Sequence, residues 1–116
     1  MDEAKAAVAE PPVEEKKKPK QPKPKRLPPY AVVVLNDDLH SFPYVIDVFR
    51  KVFRYDVPKC YLYAVKIHTE GRAIVWRGPK EVAELKRDQI RSAGPDFYAS
   101  QKVDFPLGVV IEPLPG

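Results

Sequence analysis

The sequence predicts a small α+β domain: a three-stranded antiparallel sheet with three helices on one face, preceded by a disordered tail. Three observations point there. Short β-branched runs recur at YAVVVL, AIVW and LGVVI. Between them, apolar residues recur at helical rather than alternating spacing. The first 28 residues hold six prolines, eight Lys/Arg and five Asp/Glu, and no aromatic residue. A segment that polar cannot bury enough apolar surface to offset the entropy of ordering it. The expected division is therefore a Pro/Lys/Glu-rich extension over 1–28 and a folded domain over 29–116.

The elements follow in chain order. Residues 30–35 are apolar and largely β-branched, which predicts a strand. Ser41 suits a helix N-cap, with Pro43 tolerated in the first turn. Val45, Val48, Phe49, Val52 and Phe53 then form one buried stripe, ending near Arg54-Tyr55. Asp56 suits a second N-cap, with Pro58 behind it. Tyr61, Ala64, Val65 and His68 share one face of that helix by spacing, and Gly71 is placed to end it. Ala73–Trp76 is a second strand. Gly78-Pro79 breaks it and opens a third helix, whose apolar contacts are Val82, Ala83, Leu85 and Ile90 and which Gly94-Pro95 ends. Residues 96–105 look irregular. Leu107–Ile111 is the third strand, closed by Pro113, so the order is β-α-α-β-α-β.

Composition excludes several classes. The net charge of +4 is concentrated in the tail, eight basic minus five acidic. The rest carries twelve basic against eleven acidic residues, too close to neutral to suggest a nucleic-acid surface. Cys60 is the single cysteine, so no disulfide can form within the chain. No apolar stretch approaches the ~20 residues of a membrane span. The N-terminus lacks the pattern of a secretory signal, and a cytoplasmic protein is expected.

The first strand stops at Asn36-Asp37-Asp38, with His40 soon after. Turn chemistry alone explains an Asn-Asp-Asp run after a strand. Asp38, His40 and His68 are possible metal ligands, but no metal-motif spacing joins them, and neither metal nor other cofactor is expected. Cys60 lies among helical apolar residues and reads as a small buried hydrophobe. No catalytic constellation is present, so an enzyme is not expected. His68 either caps the carbonyls ending its helix or reaches a neighbouring strand end. In the second case Asn36, Asp38 and His68 converge as three hydrogen-bond acceptors, which suits an ammonium group with three donors. Phe42, Val45, Ala64 and Ile67 then either line an adjacent pocket or simply pack the core.

The segments YAVVVLNDDLHSFPYVIDVFRKVF, HTEGRAIVW and KEVAELK, in that order, resemble ClpS, with a weaker return at FPLGVVIEP. ClpS proteins are adaptors of the AAA+ Clp proteases that recognise N-terminal degrons. The resemblance implies that Asn36, Asp38 and His68 bind the α-amino group of a substrate and that Asp37 lies beside the peptide backbone. It implies a hydrophobic side-chain pocket walled by His40, Phe42, Val45, Ala64, Ile67 and Leu107. The implied partners are N-degron proteins and a Clp unfoldase of the ClpA or ClpC type. The sequence departs from the family's usual pattern. His40-Ser41-Phe42-Pro43 stands in place of Thr-Pro-Met-Glu, Ala64 replaces a common Met, and the stretch from Lys86 to Pro106 is longer than usual. These departures leave the preferred first residue open, with branched aliphatic side chains added to Leu, Phe, Tyr and Trp. The competing expectation is a ribosome- or RNA-associated α+β protein with a basic tail.

Overall fold

The structure is a computed structural model that describes residues 27–115, so the expectation of a disordered tail falls almost wholly outside the described residues. Strand β1 (Tyr30–Leu35) is followed by helices α1 (Phe42–Phe53) and α2 (Val57–Glu70), strand β2 (Arg72–Gly78), helix α3 (Lys80–Arg91) and strand β3 (Val109–Pro113). The strands form one antiparallel sheet in the order β2-β1-β3. The α+β architecture expected from the sequence is the one observed.

Local chemistry sets the helix ends. The Ser41 hydroxyl accepts the Tyr44 N–H at 3.3 Å and the Asp56 carboxylate accepts the Lys59 N–H at 3.0 Å, each satisfying one free donor of a first turn. Gly71 closes α2 at φ 87°, a left-handed conformation that a side chain would strain. β1 is the middle strand because it is apolar at every position and can be covered on both sides. Ala31, Val32, Val33 and Val34 are all fully buried.

Val32 and Val34 share one sheet face by the two-residue period of a strand. Against them pack Phe49 and Val52 of α1, Cys60 and Ala64 of α2, and Ala83 and Ile90 of α3, in one core cluster. The helices therefore cover the same sheet face. On the other side an Arg72–Glu112 ion pair of 2.6 Å joins the two outer strands across β1.

Three local expectations shift. The buried stripe of α2 is Cys60, Ala64 and Ile67, whereas Tyr61 is half-exposed and His68 exposed. Apolar spacing marks two overlapping stripes on this helix, and packing against α1 selects one of them. Helix α3 ends at Arg91, before Gly94-Pro95, and its Leu85 faces solvent. β3 begins at Val109, which leaves Leu107 as a buried residue just ahead of the strand.

Candidate functional site

The alternation that sends Val32 and Val34 toward the helices also sends Asn36 that way, one residue past the strand. The Asn36 N–H donates to the Gly71 carbonyl at 2.9 Å, which ties the end of β1 to the α2–β2 turn. His68 lies in the last turn of α2, three residues before Gly71. Strand end, helix end and the start of α1 thus meet at one end of the core. They enclose a cavity of about 370 Å³, within the size range of small-ligand sites.

Every residue that the resemblance assigned to the site lines this cavity: Asn36, Asp37, Asp38 and His68 on the polar side, and His40, Phe42, Val45, Ala64, Ile67 and Leu107 around it. Val34, Leu35 and Ser41 line it as well. The first two lie in a strand that reads as core, and Ser41 reads as a cap, so composition and spacing carried no sign of their second role.

The polar residues differ in what remains open to a ligand. Asp37 is committed to its own turn. Its Oδ1 accepts the N–H groups of Leu39 at 2.9 Å and His40 at 2.8 Å, and its Oδ2 lies 2.6 Å from His40 Nδ1. Burial pushes the Asp37 carboxyl up, but the His40 backbone and ring, with the Leu39 N–H, outweigh it and hold the group below its ordinary 3.8. Asp38 is exposed, and among the described residues its one side-chain hydrogen bond is a long 3.4 Å approach of the Asn36 amide nitrogen to Oδ1. That orientation leaves the Asn36 amide oxygen as an acceptor. The Phe42 ring stands edge-on to the His68 imidazole, with centroids 5.6 Å apart.

His40 has a different setting from a hydrophobic wall. Its side chain is 2% exposed, with Nδ1 against Asp37 and Nε2 2.9 Å from the Phe105 carbonyl oxygen. It stacks on Tyr44 at 5.2 Å and meets the Phe105 ring edge-on at 4.9 Å. Among the described residues no group of three or more His, Cys, Asp or Glu is gathered to hold a metal ion. Cys60 is fully buried and its thiol is pushed up by burial, as befits a core residue.

Residues 25–108 match the family described as ATP-dependent Clp protease adaptor protein ClpS. This chain belongs to the ClpS family. Among curated ClpS adapters, that of Thermosynechococcus vestitus is 39% identical over 71 residues, covering 60% of this chain and 76% of the relative. That of Mycobacterium marinum is 32% identical over 76 residues, covering 66% and 73%. Among solved structures, Agrobacterium tumefaciens ClpS2 bound to L-phenylalaninamide shares a TM-score of 0.62 and 29% identity, covering 77% of this chain and all of that one. The ClpS match spans β1 through Leu107 and so includes every residue named above for the cavity. Among the described residues no helix is long and apolar enough to cross a membrane.

Proposed function

We propose that the cavity binds the free N-terminus of a substrate chain and that the protein hands such substrates to a Clp unfoldase of the ClpA or ClpC type. In this reading Asn36, Asp38 and His68 accept the three N–H bonds of the α-ammonium group. The first side chain enters between Phe42, Val45, Ala64, Ile67 and Leu107. Asp37 shapes the turn and lies beside the peptide backbone. One observation carries the reading: three acceptor-bearing residues and a set of buried apolar walls face a single cavity. It is supported by the structural neighbour, whose ligand joins a free α-amine to a benzyl side chain.

The energetics are adequate. Charge-assisted hydrogen bonds contribute about 1.5–3 kcal/mol each. Burial of a Leu- or Phe-sized side chain adds roughly 1.5–3 kcal/mol. After the costs of association, micromolar binding near −8 kcal/mol is the expected scale. Residues 1–28 serve as a delivery segment in this reading, separate from the recognition domain of 29–116.

Titration of short peptides that differ only at residue one, each with a free or an acetylated amine, tests the recognition step. Binding confined to free amines with bulky apolar first residues is the expected result. Equal binding of acetylated peptides would refute the amine site. Deleting residues 1–28 is expected to spare peptide binding and impair delivery.

A further inference from the structure

We propose that His40 is a positioning residue that fastens the 92–107 segment to the site turn and so fixes one wall of the pocket. The segment between α3 and β3 has little regular structure of its own. Its one internal backbone-to-backbone pairing is the bridge between Asp96 and Val103, with N–H to carbonyl contacts of 2.9 and 3.3 Å. What holds it in place comes from the turn and first helix: Tyr44 OH donates to the Gly94 carbonyl, Ser41 donates to the Asp96 carboxylate, and His40 reaches Phe105. The His40 tie lies nearest the cavity. Phe105 is two residues before Leu107, which lines the cavity and is 4% exposed.

The chemistry of the tie is specific. A backbone carbonyl only accepts, so Nε2 carries a hydrogen toward Phe105. The other ring nitrogen, Nδ1, lies 2.6 Å from the Asp37 carboxylate. One ring therefore bridges the Asp37 carboxylate and the carbonyl of Phe105, which lies 65 positions beyond His40. With its side chain almost wholly enclosed and its faces against Tyr44 and Phe105, the ring has no freedom to seek other partners. His40, Ser41 and Tyr44 thus act together on the 92–107 segment. Loss of the His40 tie frees Phe105, and with it Leu107, so the pocket loses grip on the first side chain while the amine acceptors stay in place.

The ligand in this proposal is the one already proposed for the cavity; the loop geometry does not depend on it. Three variants separate the possibilities. His40→Phe keeps an aromatic ring but removes both ring nitrogens. By covalent reach, Gln places an amide nitrogen where Nε2 lies and Asn places one where Nδ1 lies, so His40→Gln keeps the Phe105 tie and His40→Asn does not. The first measurement needs no ligand: amide exchange at Val103, and at Leu35, whose N–H donates to Gly108 at 2.8 Å. His40→Phe and His40→Asn are expected to speed exchange at these two amides by about fivefold, the worth of one net hydrogen bond, with His40→Gln near wild type. The second measurement is the affinity ratio of a Phe-first to an Ala-first peptide. That ratio is expected to drop about fivefold in the same two variants. Unchanged exchange in His40→Phe, or identical behaviour of the Gln and Asn variants, overturns the proposal. If His40→Phe fails to fold, the Gln and Asn pair decides it. If no free-amine peptide binds the wild type, the peptide-binding reading falls, and exchange alone judges the tie.

Discussion

The fully buried carboxylate of Asp96 accepts both the backbone N–H of Ser41, at 2.7 Å, and its hydroxyl, at 3.2 Å, across 55 residues of sequence. Ser41 also caps α1, so one side chain holds the irregular segment, the site turn and the start of a helix together. The same carboxylate takes the N–H groups of Tyr98 at 2.8 Å and Ala99 at 3.3 Å. A buried charge needs such a set of donors to be tolerated at all.

Asp96→Ala leaves those donors buried without an acceptor. The expected loss is about 3 kcal/mol, the scale of a broken buried charged network. Urea denaturation should show a lower midpoint at an unchanged slope. A loss within about 0.5 kcal/mol, typical of an exposed site, would contradict the assignment of Asp96 as the anchor.

Acid should act on the same network. Burial raises the Asp96 carboxyl, but the donors from Ser41, Tyr98 and Ala99 outweigh it, so it sits below its ordinary 3.8, as Asp37 does. A carboxyl lowered in the folded state contributes stability that is fully present above its unfolded value and is lost as pH falls through the folded value. Stability is therefore expected to decline below a pH of about 3.8. Asp96→Asn should decline less steeply there, as measured by denaturation at stepped pH.

Gly71 offers a backbone test. Its φ of 87° is left-handed, and an added Cβ meets nothing within 4 Å, so strain rather than collision decides the outcome. Gly71→Ala is expected to cost about 1–2 kcal/mol. In a domain of this size that lowers Tm by several degrees, roughly 4–8 °C per kcal/mol. Because Asn36 is bonded to the Gly71 carbonyl, peptide affinity should drop with it.

Removing one acceptor from the amine site should weaken peptide binding by about tenfold or more, the worth of one hydrogen bond to a charged group. Asp38→Ala and His68→Ala measured by calorimetry test this, and near-wild-type affinity in both would rule the site out. Binding requires the charged amine, so it should also weaken as pH rises through the α-amino value near ~8.

Cys60 is fully buried and its thiol is raised by burial. Labelling by a soluble thiol reagent should track unfolding, and rapid labelling of the native protein would place it wrongly in the core.

Local rules carried far in this chain. The run YAVVVL becomes the central strand, and the caps Ser41, Asp56 and Gly71 act where spacing placed them, because each works on partners within four residues. The α1 stripe from Val45 to Phe53 is buried as its period demands. On α2, period alone did not choose between Tyr61 and Cys60, since both begin an apolar row. The choice came from which row faces α1 and the sheet.

By itself, the sequence determined the strands, the helices with their caps, the polar turn after β1 and the kinship to ClpS adaptors, because periodicity and turn chemistry are local properties of neighbouring residues. Only the tertiary structure decided that His40 reaches the Phe105 carbonyl and that Asp96 holds Ser41. Those pairings join residues tens of positions apart. They depend on how the packed elements meet in space, and no spacing along the chain records that.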